Sequence, residues 1–365
     1  MKTKFLSSSL FLSIFALLGI GLVQVYSSSY IFAIESYGDG LYFFKRQLVF
    51  TLIALIALVA SIQIPFEKIR QYGWAVWVFA ACLLVATFVP GLGVRVGGAL
   101  RWLQLPFGIR FEPSEFLKIA FSFFIASAVC KNQNTLKNLK WGWIGLMMII
   151  PLVVLLKQPD FGSFAIISIV AVSMLFVFGL SLKYLAGVGL ASIPVFYFLV
   201  WNVAYRKARV IAFLDPWSDP AKKGFQVIQS MLSIHSGGLT GQGLGQSQGK
   251  LFFLPEAHTD FTMAILGEEM GFIGICLVLA LYGFVVFRGF RIAIKTEDMF
   301  KKTLALGLIS TFALSVFINM GVVMGLLPTK GLTMPFLSYG GSSLVMICFM
   351  FGILLNIENS EHEYR

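Results

Sequence analysis

Pro255-Glu-Ala-His-Thr-Asp260 runs directly into a long apolar segment that carries Glu268 and Glu269 inside it. A charged side chain at the centre of a membrane helix costs roughly 2.5–3.5 kcal/mol on insertion scales. Chains keep one there only where it faces protein or a wet cavity, usually for function. Asp260 falls at the expected rim of the segment, where a group can meet both water and a lipid-anchored substrate. A carboxylate in that position can serve as general base toward a sugar hydroxyl, or hold a divalent cation on phosphate oxygens. Asp is also a common helix N-cap, and that plainer reading stands beside the chemical one. Glu268 and Glu269 are adjacent and point about 100° apart on a helix. They are expected to form a structural polar network with basic partners; the rival reading is a proton or ion path.

Other constellations accompany this one. Arg101-Trp102 suits a head group at a membrane interface, although Trp anchoring alone accounts for the tryptophan. Glu115 and Lys118, three residues apart, share a helix face, and an internal ion pair is their plain reading. Arg206 and Arg209 open a long loop that contains Gly237-Gly-Leu-Thr-Gly-Gln-Gly-Leu-Gly-Gln-Ser247. The glycine spacing does not match a dinucleotide fingerprint, and no strand precedes it. Its successive N–H groups either cradle an anion or serve a tightly folded structural loop. From Asn319 to Ser343, Pro328, Gly331 and Pro335 forbid a continuous helix before the small, polar stretch Ser338-Tyr-Gly-Gly-Ser-Ser343. Irregular backbone of this kind at membrane depth is tolerated only under protein or beside a wet cavity.

The elements that must position these residues follow from composition. The chain is 58% hydrophobic and 12% charged. A soluble domain is nearer 45–50% apolar and about 25% charged, so the composition indicates a polytopic membrane protein. The formal net charge of +11 fits cytoplasmic loops rich in Lys and Arg, and no basic run or soluble domain offers a nucleic-acid surface. Cys82, Cys130, Cys276 and Cys348 lie in or beside apolar runs, with no metal-ligand spacing, and read as small core residues. A span needs about 20 apolar residues. Candidates fall near 6–27, 46–65, 73–90, 114–131, 141–157, 161–181, 184–203, 260–287, 303–325 and 337–356. The expected fold is thus an all-α polytopic membrane protein, a bundle of ten transmembrane helices. It forms a single domain over 1–365, with one long extracytoplasmic loop, about 204–259, between spans 7 and 8. The first apolar run is expected to be a retained span rather than a cleaved signal. Short segments holding Lys2, Lys4, Lys68, Arg70, Lys131, Lys137, Lys140, Arg288, Arg291 and Lys295 put both termini in the cytoplasm. The turns around 91–113 and 327–336 then lie outside.

Taken in order, Arg101-Trp102, Pro113-Ser-Glu115 with Lys118, Gln158-Pro-Asp-Phe-Gly162, Gln229-Ser230, the glycine loop, Leu254 through Asp260, Gly267-Glu-Glu269 and Pro328 through Ser343 resemble the SEDS family (shape, elongation, division and sporulation). The match runs through nearly the whole chain, and within the family it is more similar to the division branch than to the elongation branch. Departures are Glu112 where Gln is usual, Thr262-Met263 in place of a more apolar pair, and Ser315 where Gln is expected.

The resemblance implies a peptidoglycan glycosyltransferase that polymerises lipid II outside the cytoplasmic membrane, working at the septum. Its implied partners are a class B penicillin-binding protein and other divisome proteins. The family's essential aspartate corresponds to Asp260. Joining an α-linked donor sugar in β-1,4 linkage inverts the anomeric carbon and needs a base for the acceptor hydroxyl. Asp260 is that candidate base; a magnesium or manganese ion held by Asp260 is the alternative, and no organic cofactor is implied. Arg101, Lys118, Arg206, Arg209, Lys250 and Lys330 are expected pyrophosphate contacts, Arg as a bidentate fork and Lys as a point charge. Trp102, His258 and Ser338 are further expected substrate contacts, and Glu115, Glu268, Glu269 and Asn319 are expected to support the site. A lipid II flippase and a non-catalytic scaffold are the rival classes.

Overall fold

A computed structural model describes residues 8–96, 98–131, 141–177, 204–221, 224–329 and 331–363, with positions 183, 186, 187, 189, 190, 194, 197, 198, 201 and 202 between. Its helices are α1 (Ser9–Tyr37), α2 (Tyr42–Ile62), α3 (Phe66–Ala86), α4 (Pro113–Lys131), α5 (Trp141–Lys157), α6 (Phe161–Val177), α7 (Ala204–Leu214), α8 (Phe225–Ser236), α9 (Thr262–Lys295), α10 (Met299–Val323) and α11 (Gly341–Glu363). Among the described residues, α1, α2, α3, α4, α9, α10 and α11 are long and apolar enough to cross a membrane, and two shorter apolar helices lie at Gly145–Lys157 and Phe161–Val177. The expected seventh span, 184–203, falls largely outside the described residues.

Helices pack here without the help of a water-driven hydrophobic effect, so close backbone approach matters. Gly352 of α11 shows this: a Cβ there would lie 2.3 Å from the Leu58 carbonyl oxygen of α2. α4 and α10 run through the centre and are buried along most of their length, with Phe121, Ile125, Leu308 and Phe312 sealed from solvent.

Three departures from the sequence expectation have local causes. The helix expected to end near residue 27 continues to Tyr37. The serine run beyond it stays helical, since Ser28 and Ser29 donate to the Gln24 and Val25 carbonyls at 2.8 and 2.6 Å. The outer turn before α4 is a small antiparallel sheet, β1 (Gly93–Val96), β2 (Ala99–Gln104) and β3 (Arg110–Phe111), in the order β1-β2-β3. It is the described exception to an otherwise all-α bundle. The eighth expected span is broken: Gly271 has φ +67° and ψ −169°, outside the helical region, so α9 is a short segment before the break and a long one after it.

The chain ends and the cleft described below occupy opposite ends of the bundle. At one end, Glu358 accepts from Ser8 Oγ at 2.7 Å and from Arg288 Nη2 at 2.6 Å, while Lys301 Nζ donates to Ser360 Oγ at 3.1 Å. At the other, the β2 strand, the loop before α9 and the loop between α10 and α11 converge.

Candidate active site

Asp260 is presented by a tight turn, not by a helix end. Glu256 adopts a left-handed conformation, φ +56°, which is strained for a residue with a Cβ. Its carbonyl accepts from Thr259 N, Asp260 N and Phe261 N at 3.1, 3.1 and 3.3 Å. The N-cap of α9 is Phe261, and no side chain caps that end. The N-cap reading of Asp260 is therefore corrected: its carboxyl is left for the cleft. Asn319 of α10 fixes the turn from behind, donating from Nδ2 to the Asp260 carbonyl at 3.0 Å and to the Leu332 carbonyl at 2.6 Å. One side chain thus ties the Asp260 turn to the loop between α10 and α11.

The cleft in front of Asp260 holds about 1360 Å³. That exceeds the roughly 300–1,000 Å³ of a pocket for a small molecule. Arg101 and Trp102 of β2, Arg209 of α7 and Gly331 line it beside Asp260. Arg101 donates to the Gln158 and Pro159 carbonyls, and Arg209 Nη1 donates to the Thr329 carbonyl at 3.0 Å, which orients both forks at the wall. A Cβ on Gly331 would lie 3.4 Å from Arg101 Nη1 and 3.5 Å from Asp260 Oδ2, so the missing side chain leaves the space between guanidinium and carboxylate open. Burial raises the Asp260 carboxyl to about 7 and Glu256 adds to the rise, while Arg101 and Arg209 oppose it. A carboxyl held near 7 can take a proton from a hydroxyl and release it again at neutral pH.

Other expected contacts stand elsewhere. Lys118 is buried in an ion pair with Glu115 at 2.7 Å, beside a cavity of about 20 Å³ behind the cleft wall. Lys250 is buried against Glu269 at 3.0 Å and Ser27 at 3.3 Å. His258 stacks among rings, with centroids 5.1 Å from Phe32 and 4.9 Å from Phe43, and burial lowers its imidazole. The Ser338 hydroxyl is buried and accepts from Met334 N at 2.8 Å. None of these four side chains lines the cleft: Lys118, Lys250 and Ser338 each satisfy a buried polar neighbour, and His258 is packed among aromatic rings. Lys330 lies outside the described residues, as does the side chain of Arg206.

The glutamates inside α9 organise the glycine loop. Glu268 accepts from Ser247 Oγ, Gln248 N and Gly249 N at 2.6, 2.9 and 3.1 Å, and Glu269 accepts from Ser27 Oγ and Lys250 Nζ. The break at Gly271 frees the Glu268 and Glu269 carbonyls, which Gln242 N and Gly243 N take at 2.9 and 3.0 Å. The anion that the loop cradles is a carboxylate of the same chain.

Sequence reasoning passed over Arg46, Tyr339 and Glu256, all of which line the cleft. Arg46 had a readable signal, a basic pair with Lys45 at the outer end of a span. Tyr339 and Glu256 had none, since only the folded loops bring them to the wall. Among the described residues no group of three or more His, Cys, Asp or Glu side chains is placed to hold a metal ion. A divalent cation at Asp260 would therefore draw most of its ligands from substrate phosphates and water, an arrangement usual for magnesium.

A family model described as cell cycle protein, covering FtsW, RodA and SpoVE, matches residues 8–363. The chain is 43% identical over 344 residues to a relative from Geobacter metallireducens named "Probable peptidoglycan glycosyltransferase FtsW", covering 94% of this chain and 92% of that one. It is 39% identical to stage V sporulation protein E of Bacillus subtilis over 98% of both chains. A solved structure described as structural coordination of polymerization and crosslinking by a peptidoglycan synthase complex matches with a TM-score of 0.79 at 25% identity, covering 97% of this chain and 98% of that one. The crystal structure of the rod shape determining protein RodA of Thermus thermophilus shares the fold with a TM-score of 0.71 at 23% identity, covering 96% of both chains.

Proposed function

The chain belongs to the cell cycle protein family of FtsW, RodA and SpoVE, and from that premise and the cleft we propose that it is a peptidoglycan glycosyltransferase that polymerises lipid II at the membrane. The observation that carries the reading is Asp260: a carboxyl raised to about 7, at the wall of a cleft large enough for a disaccharide pyrophosphate, with two arginines beside it.

In this reading Asp260 accepts the proton of the acceptor C4 hydroxyl as that oxygen attacks the donor anomeric carbon and the pyrophosphate leaves from the opposite face. Arg101 and Arg209 meet the departing phosphates; bidentate guanidinium contacts neutralise charge without a proton of their own. Trp102 borders the same cleft as a flat surface for a sugar ring. Glu115, Glu268, Glu269 and Asn319 hold the frame. A divalent cation bound by Asp260 would supply further neutralisation of the pyrophosphate. Lipid tails lie between helices, because exposing polyprenyl to water costs about 0.8 kcal/mol per CH₂. We further assign ten spans with both termini in the cytoplasm, a septal role in division, and a class B penicillin-binding protein as partner; the synthase complex similar in fold supports association with a cross-linking enzyme.

Purified Asp260→Asn should fold and bind lipid II yet form no polymer, with a loss of at least about a hundredfold for a removed base. Polymer formed by that variant at the wild-type rate in detergent overturns the assignment. Lipid II translocation without polymer by the wild type would favour the flippase class.

A further inference from the structure

Glu112 stands where the outer sheet runs into α4, and the charges of Glu115 and Asp160 bear on it. Glu115 takes the Lys118 ammonium at 2.7 Å. Asp160 precedes α6, and its Oδ1 accepts from Ser163 N at 3.2 Å while its Oδ2 is buried without a partner. Glu112 has no cation of its own. Lys118 is spent on Glu115, and Arg101 is turned onto the Gln158 and Pro159 carbonyls. Among the described residues no basic nitrogen comes within 4.0 Å of the Glu112 carboxyl. A hydroxyl serves it instead, Ser114 Oγ at 3.2 Å from Oε1, and its backbone N donates to Ser342 Oγ at 3.2 Å.

Despite this, Glu112 lines the same cleft as Asp260, Arg101 and Ser342. Burial first, then repulsion by Glu115 and Asp160, raises its carboxyl to about 8 against the pull of Lys118 and Arg101. An ionised carboxylate at this wall would repel a pyrophosphate and accept hydrogen bonds only. The neutral acid carries one O–H to donate and no charge to repel.

Resting on the polymerase reading above, we propose that Glu112 is a substrate-binding residue that works as an un-ionised carboxylic acid, donating a hydrogen bond from the cleft wall to an oxygen of the bound saccharide pyrophosphate. The un-ionised acid is close in shape to a glutamine side chain, and the amide N–H₂ of Gln can make the same donation without titrating.

The test is kcat and KM for lipid II as a function of pH in wild type, Glu112→Gln and Glu112→Ala. Wild-type KM should climb about tenfold per pH unit above about 8, as the donor is lost to ionisation. Glu112→Gln should keep the neutral-pH KM and lose this alkaline rise, and Glu112→Ala should raise KM about tenfold or more at every pH, for a lost hydrogen bond to a charged group. An alkaline rise retained in Glu112→Gln, or a wild-type KM in Glu112→Ala, overturns the proposal. Infrared difference spectra of wild type against Glu112→Gln need no turnover. A protonated-carboxyl C=O band present at neutral pH and lost near pH 8 supports the ionisation state; its absence overturns the proposal even in an active enzyme. A wild type that shows the band and makes no polymer overturns the polymerase reading instead.

Discussion

At the scale of single residues, Asp260 carries a conflict between stability and reactivity. Burial that raises its carboxyl to about 7 favours the protonated form, whereas the proposed role as base needs the ionised one. Activity should therefore fall about tenfold per pH unit below about 7, read from kcat/KM profiles. The stability sign runs the opposite way. The folded state holds the Asp260 proton more tightly than the unfolded chain, whose Asp titrates near 3.9. This contribution is complete below about 3.9 and is lost as pH rises through about 7. Asp260→Asn should accordingly melt at the wild-type temperature in acid and above it at alkaline pH, and calorimetry in detergent checks this. Gly331 is a second residue-scale constraint. The branches of Gly331→Val would fill the space between Arg101 Nη1 and Asp260 Oδ2. Displacing reacting groups by about 1 Å costs on the order of a hundredfold, so kcat/KM should drop roughly 10- to 100-fold with little change in folding.

Between residue and fold, α9 is the informative element. A continuous helix through residues 262–295 would leave no place for the glycine loop; the break at Gly271 opens two carbonyls that the loop closes again. The same segment sets the Asp260 turn just before its first residue. The φ/ψ pair at Gly271 belongs almost to glycine alone, and a Cβ there would lie 2.4 Å from Gly241 N. Gly271→Ala should cost about 1–3 kcal/mol from backbone strain alone. Its readouts are a lower melting temperature and faster proteolysis within 237–249. Unchanged stability would mean that the loop does not depend on the break.

Across the whole molecule, the cleft end and the terminal end are built differently. The terminal end is tied by Glu358, which links Ser8 of the segment before α1 to Arg288 of α9. Hydrogen bonds to a charged group contribute about 1.5–3 kcal/mol when buried and less when half-exposed. Glu358→Ala should lower the melting temperature while leaving kcat/KM for lipid II within about twofold, because additivity holds for distant sites. Activity lost in parallel would instead show that motion at that end is transmitted to the cleft.

The sequence by itself determined the apolar helices, the pair Glu115–Lys118, and Glu268 and Glu269 as internal polar groups, and it put Asp260 forward as the candidate reactive group. Hydropathy and the expense of charge within a membrane are local properties, readable one segment at a time. Tertiary structure alone decided which cations face the cleft. Arg101 and Arg209 reach it, while Lys118 and Lys250 are consumed by glutamates. Lys118 meets Glu115 one turn away on its own helix, but the partners of Arg101, Arg209 and Lys250 depend on how loops 93–111, 237–260 and 329–343 fold over one another. It also carried α1 on to Tyr37, past the expected end near 27, and brought the charge of Asp160 to bear on Glu112. Contacts between residues far apart in sequence have no periodicity to betray them, and only the packed chain fixes which charge faces the cleft.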